Sequence, residues 1–306
     1  MQRASAFHRG TAFVAIAAVI AVLASCSSNE PATSPTEEPT PEATASPSLN
    51  GELLERPWNV LYVGTDLNEA READGQGPST DALMLVSLSE DQSQLTLVSL
   101  PRDTVDLPLA DGSTYSSKIN QLYNEQGIDA LVGAMEELYG VEIDGHVVLD
   151  MDDFASLVEA VDGVEVTLEE PLVDPKVNLD LEPGTQTLDA SQTLGYVRTR
   201  VDQDYGRMGR QQEVIVELVS RLVDPETELD LEALIDGLDS LETDLPLDEL
   251  PTLLELARRA GDADVEELVI QPPLIVFEGD RGDGRGYVLE PDVEAIRAEV
   301  QELIGD

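Results

Sequence analysis

Cysteine and tryptophan each occur once in the 306 residues, histidine twice, and only 4% of the chain is aromatic. A single cysteine excludes a disulfide framework and any cysteine-rich zinc site. The histidines, His8 and His146, leave His146 alone to serve a Ser-His-Asp triad, and no Gly-x-Ser-x-Gly elbow accompanies it. Positive charge is scarce too: 17 Lys and Arg stand against 63 Asp and Glu, a formal net charge of −46. A surface this acidic lacks the basic footprint that phosphate backbones require, which argues against a nucleic-acid partner. With 42% hydrophobic residues and few aromatics, the core must be built from Leu, Val, Ile and Ala.

What is present begins at the N-terminus. Arg3, His8 and Arg9 precede an apolar run from Ala12 to Ala24, the length of a secretory signal core and too short to span a bilayer comfortably. The run ends in Leu23-Ala24-Ser25-Cys26, similar to a bacterial lipobox: small residues admit the peptidase, and the Cys26 thiol takes the lipid. The alternative is an uncleaved anchor. Either reading puts the rest of the chain outside the cytoplasm, at the membrane surface. Residues 1–25 then form a signal peptide and 26–50, rich in Pro, Ser, Thr and Glu, a disordered tether. Residues 51–306 form one folded domain.

Within that domain, Asn59–Gly64, Ala82–Leu88, Gln94–Leu100, His146–Leu149 and Val164–Leu168 read as strands. Helical spacing marks Ile128–Tyr139, a stretch lined by Phe154, Leu157, Val158 and Val161, and a helix capped by Asp189. A long helix is expected over Met208–Leu222, further helices near 230–240 and 248–260, a strand near Val269, and a terminal helix from Pro291. Gly279–Gly286 reads as a flexible loop. Interleaved strands and helices give an α/β class, a three-layer α-β-α arrangement with a central mixed sheet and helices on both faces.

The scarce cations are not evenly spread. Arg198, Arg200, Arg207 and Arg210 crowd into one short segment, and the planar guanidinium fork suits phosphate oxygens. Arg207 and Arg210, three apart, would share a face on the opening turn of the long helix, where free amides and the dipole favour an anion. The bland alternative is four arginines solvated or paired with the abundant carboxylates. Gly64-Thr65-Asp66 and Ser79-Thr80-Asp81-Ala82 put Asp66 and Asp81 at adjoining strand ends, where a water- and phosphate-held magnesium ion can bind, or where both are simply turn residues. Leu100-Pro101-Arg102-Asp103-Thr104 sets Arg102 at another strand end, and Lys118-Ile119-Asn120 precedes a helix.

In order, these segments resemble the LytR-CpsA-Psr family of cell-wall glycopolymer ligases. The resemblance extends through Gly184-Thr185-Gln186-Thr187-Leu188-Asp189, Ala190–Arg200 and Gly206-Arg207-Met208-Gly209-Arg210-Gln211-Gln212, and runs from about Asn59 to Leu222. It implies an extracytoplasmic phosphotransferase that moves a glycan phosphate from a polyprenyl-pyrophosphate carrier onto a peptidoglycan hydroxyl. It further implies that Asp66 and Asp81 hold Mg2+, with Asp81 and Arg102 catalytic. Arg102, Lys118, Arg198, Arg200, Arg207, Arg210 and Gln211 would contact the pyrophosphate, and an apolar cleft under the sheet would take the prenyl tail. Two departures stand out. Ser79 occupies a position where the family commonly carries Arg, and Cys26 replaces the expected transmembrane anchor. Two other readings stay open: a lipoprotein that holds prenyl pyrophosphates without transferring them, and a lipid pyrophosphatase. Asp66, Asp81 or Asp103 could each accept the proton of the attacking hydroxyl.

Overall fold

The computed structural model of the chain describes residues 49–67, 77–237 and 241–305, so the signal segment, Cys26 and most of the tether lie outside it. Three adjoining strands come first: β1 (Trp58–Thr65), β2 (Thr80–Leu88) and β3 (Gln94–Ser99). They are joined by β4 (Gly145–Leu149), β5 (Glu242–Thr243) and β6 (Asp264–Val269). The order across the sheet is β5-β4-β1-β2-β3-β6. β1 runs parallel to β4 and β3 parallel to β6, while β1–β2, β2–β3 and β4–β5 are antiparallel, so the sheet is mixed.

The strands are apolar on both sides because both faces are covered. Successive side chains of β1 and β2 part to opposite cores. Leu61, Val63, Leu83 and Leu85 pack with α1 (Ile128–Tyr139) and the terminal helix Val293–Ile304. Tyr62, Ala82, Met84 and Val86 join the other core, with α2 (Met151–Ala160), α3 (Ala190–Arg198), α4 (Gln203–Val223) and α5 (Leu250–Ala260). This is the three-layer arrangement expected from the interleaved pattern. Among the described residues, no helix is long and apolar enough to cross a membrane.

Three differences from expectation matter for the site. Val164–Leu168 is a strand but pairs with Gly184–Leu188 in a separate ribbon, outside the central sheet. Helix α4 begins at Gln203, five residues before Met208, where the apolar stripe first becomes visible. Arg207 and Arg210 therefore lie beyond its opening turn, away from the unpaired amides of the helix start. Asp204 occupies that turn instead, where a carboxylate suits the positive end of the dipole. Finally, Gly279–Gly286 is the turn of a hairpin made by β7 (Ile275–Asp280) and β8 (Tyr287–Pro291).

Candidate active site

At the end of β1 the face of the sheet covered by α2, α3 and α4 carries Gly64 beside Ala82. A Cβ on Gly64 would come within 3.0 Å of the Ala82 Cβ. These two small residues leave space that helices α2, α3 and α4 do not fill. The result is a cleft that opens to solvent beside the strand ends. Its walls are apolar, with Tyr62, Leu149, Phe154, Val197 and Ile215 among them, and Asp81, Arg198, Arg207 and Gln211 bring polar groups to it. Gln212 pins α4 above the sheet: its side-chain amide donates to the Leu97 and Leu268 carbonyls and to Ser99 Oγ, at 3.0–3.3 Å.

Arg207 is the pivot. Its side chain is 2% exposed, one Nη donates to the Asp81 carbonyl oxygen at 3.0 Å, and the other lies 2.9 Å from Asp204 Oδ1. Arg200, more exposed, reaches the same carboxylate oxygen with Nε at 3.3 Å. Arg102 is ion-paired with Asp81, and Lys118 Nζ stands 2.8 Å from Asp103 Oδ1. The Asn120 backbone N–H donates to the Arg102 carbonyl oxygen at 3.2 Å, tying the Lys118 turn to the strand end that presents Arg102. Burial, with repulsion from Arg200 and Arg102, pushes the Arg207 guanidinium below its ordinary value, against the pull of Asp204 and Asp81. Burial also works against Arg102, but Asp81, helped by Asp103 and Asp204, holds it above its ordinary value.

The cluster is incompletely hydrogen-bonded. Buried polar atoms without a hydrogen-bond partner include Arg207 Nε, Arg102 Nε, Thr80 Oγ1 and Asn120 Oδ1, while Arg207 Nη2 and the Asp204 carboxylate meet as an ion pair outside hydrogen-bond geometry. Unspent donors on buried guanidinium groups are costly unless an acceptor takes them up.

The expected residues thus divide. Asp81, Arg102, Arg200 and Arg207 form one cluster, Lys118 joins it through Asp103, and Arg198 and Gln211 line the adjoining cleft. Asp66 lies at the same strand end, where its carboxylate accepts from the Ser79 amide at 2.8 Å. Arg210 points elsewhere. Its three donors reach the Tyr196 carbonyl at 2.9 Å, the Thr199 carbonyl at 2.6 Å and Asp202 Oδ2 at 2.5 Å, so it braces the joint between α3 and α4. Asp204, absent from the expected set, sits between two arginines of the cluster. Its only sequence signal is the spacing of four and three residues to Arg200 and Arg207. Asp66 and Asp81 are hard oxygen donors on adjoining strand ends, a set that suits magnesium held otherwise by water and phosphate. No group of three or more potential ligands gathers into a protein cage among the described residues.

The model of the LytR_cpsA_psr family matches residues 22–301. Biofilm regulatory protein A of Streptococcus mutans is 26% identical over 264 residues, covering 80% of this chain and 63% of that protein. TagV of Bacillus subtilis, a polyisoprenyl-teichoic acid–peptidoglycan teichoic acid transferase, is 24% identical over 263 residues, 82% of this chain and 66% of that protein. The chain therefore spans just under two thirds of the length of these relatives. Among solved structures, B. subtilis TagV has a TM-score of 0.65 at 24% identity, covering 82% of this chain and 98% of that one. A structure of TagT bound to LI-WTA has a TM-score of 0.62 at 24% identity, covering 83% and 93%. At these identities the structural likeness establishes the fold.

Proposed function

Since this chain belongs to the LytR_cpsA_psr family, we propose that it transfers a glycan phosphate from a polyprenyl-pyrophosphate carrier to peptidoglycan. The observation that carries the reading is an apolar cleft adjoining an arginine cluster in which the buried Arg207 and the half-buried Arg102 carry N–H groups outside any hydrogen bond. A prenyl diphosphate has the matching polarity: a greasy tail for the cleft and anionic oxygens for the cluster. The names of relatives such as TagV point to the same chemistry.

In the proposed reaction an acceptor hydroxyl oxygen forms a bond to the glycan-bearing phosphorus. The bond from that phosphorus to the lipid phosphate breaks, and polyprenyl monophosphate leaves. Most catalysis of such a step is positioning and charge neutralisation. Arg207 and Arg102 face the oxygens where charge builds, and Arg198, Arg200, Lys118 and Gln211 hold the remainder. Asp66, Asp81 or Asp103 receives the hydroxyl proton. Asp66 and Asp81 would also hold magnesium, which when bound supplies further neutralisation of the diphosphate. Arg210 supports the cluster from behind. Attachment through a lipidated Cys26 on the extracytoplasmic membrane face would bring the cleft to its lipid substrate, and the acidic surface keeps nucleic acid away.

The test incubates the full chain with lipid-linked glycan, magnesium and peptidoglycan. Polyprenyl phosphate release matched one-to-one by covalent glycan on the peptidoglycan supports the proposal. Binding without release would make the protein a carrier, and release without a covalent product would make it a pyrophosphatase.

A further inference from the structure

We propose that the β7–β8 hairpin forms the acceptor subsite, with Tyr287 as the platform on which a sugar ring of the glycan acceptor lies. The inference rests on the phosphotransfer reading above and adds where the second substrate sits.

Three observations converge on the hairpin. First, it is built into the strand end that carries Arg102 and Asp103. The Leu289 amide donates to the Asp103 carbonyl at 3.1 Å, and the Val105 amide donates to the Leu289 carbonyl at 3.0 Å. The turn is latched further by Arg285, whose Nη1 donates to Asp106 and to the Ser116 carbonyl at 3.0 Å. From α4, the Tyr205 hydroxyl donates to Glu278 on β7, one residue from Asp204. Such a hairpin is held against the cluster as a fixed wall.

Second, Tyr287 is 55% exposed, and it is the one aromatic among the exposed large hydrophobic side chains of the described residues. In a chain with 4% aromatics the others among the described residues are buried or half-buried, so an outward-facing ring at this place is distinctive. Burial together with the nearby Glu278, Asp103 and Asp204 carboxylates pushes its phenol above the ordinary value, consistent with its position beside the cluster. The electron-rich face of an aromatic ring attracts the positive C–H edge of a pyranose, and its hydroxyl end remains free for a polar contact.

Third, the hairpin belongs to the opposite face of the sheet: its Ile275 and Leu289 pack in the core with Leu61 and Val63, whereas Tyr62, Leu149 and Phe154 of the cleft belong to the other core. Arg207 and Asp81 border the apolar cleft, while Tyr287, Tyr205 and Glu278 are absent from its lining. The lipid phosphate departs toward the cleft that holds its tail. Displacement at phosphorus is in line, so the attacking hydroxyl must approach from the opposite side. The hairpin wall flanks that approach, and beside Tyr287 the Asp103 and Glu278 carboxylates each spend one oxygen on Lys118 and Tyr205.

The experiment titrates the full chain with soluble, uncrosslinked peptidoglycan strand fragments, and separately with a prenyl pyrophosphate. Loss of one stacked ring corresponds to about a tenfold change in affinity. Tyr287→Ala is therefore expected to weaken saccharide binding about tenfold, with Tyr287→Trp retaining it and prenyl-pyrophosphate affinity unchanged in both. Saccharide binding within twofold of wild type in Tyr287→Ala overturns the proposal. So does equal loss for both ligands, which would mark Tyr287 as a structural residue, and so does failure of the wild type to bind the fragments. Turnover is measured in parallel: transfer that is indifferent to Tyr287 sinks the subsite and leaves the function standing. Saccharide binding through Tyr287 without transfer has the reverse meaning.

Discussion

Replacing Arg207 by Met gives the most direct test of how the cluster is held. Met fills much of the same space without the charge, so the change isolates electrostatics from packing. In the wild type Arg207 is 2% exposed and faces Asp204, whose two carboxylate oxygens are buried without a hydrogen bond. Removing one member of a buried pair costs about 3 to 5 kcal/mol, because the partner charge is left uncompensated. Arg200, 3.3 Å from Asp204, remains to offset part of this, so the lower end, about 3 kcal/mol, is expected. For a chain of this size that corresponds to a fall in Tm of roughly 6 to 12 °C. Adding Asp204→Asn removes the stranded charge. The double variant should recover to within about 1 kcal/mol of wild type, the residue being the lost bond to the Asp81 carbonyl. Urea unfolding of the wild type, both single variants and the double completes the cycle. A double variant as unstable as the sum of its parts would refute the pairing. Prenyl-pyrophosphate affinity should stay at least about tenfold weakened even where stability is restored, since the ligand loses a charge-assisted contact.

Other expectations follow from single side chains. Val197→Trp places a large ring in the wall of the cleft and should weaken prenyl-pyrophosphate binding at least about tenfold, while a short water-soluble diphosphate is bound as before. Thr199→Val removes the 2.7 Å bond from the buried Thr199 hydroxyl to Asp174, at a cost of about 1 to 2 kcal/mol in urea unfolding. Hydrogen bonds from Arg258 and Arg259 hold the Glu255 carboxyl well down, at about 2. A depressed folded value means that its stabilisation is present above the ordinary carboxylate range and fades as the pH falls toward 2. Glu255→Gln should therefore cost under about 1 kcal/mol at pH 7, discounted for solvent screening, and the gap to wild type should close as acid is added.

How much of this was readable beforehand follows from where each signal resides. Ile128–Tyr139 carries a full apolar stripe and a terminal glycine, and its bounds were legible to the residue. The two-sided sheet is legible because β1, β2 and β3 are runs rich in Leu, Val and Met on both faces. Helix α4 was read late because Gln203–Gly206 has no apolar stripe, and ion pairs from Asp204 to Arg200 and Arg207 organise that turn instead. The β7–β8 hairpin escaped because four glycines crowd its turn region and Val276 and Tyr287 face outward, so no alternation toward a core announces it. The clustering of arginines was visible in the sequence. Which arginine lines the cleft and which braces a joint was not: Arg207 and Arg210 are one turn apart, and only their partners distinguish them. Asp204 was hidden for the same reason.

The pairing of Arg102 with Asp81 has a consequence for ligand order. While Arg102 holds Asp81, its guanidinium is partly spent and the carboxylate is neutralised, so neither is free for another partner. A diphosphate competes with Asp81 for Arg102 and, on succeeding, leaves Asp81 available to a cation beside Asp66. Binding of either ligand by itself must break the pair unassisted, whereas the second to arrive finds it already broken. Affinities for diphosphate and magnesium should therefore rise together, and linkage requires the factor to be the same whichever is added first. Calorimetric titrations in both orders measure it, with about a tenfold enhancement expected, corresponding to about 1.4 kcal/mol of coupling. Asp66→Asn should reduce the enhancement without abolishing diphosphate binding, because the arginines remain. Equal diphosphate affinity with and without magnesium would mean that Asp81 is a permanent partner of Arg102, holding it in place, and would remove the cation from the account of this site.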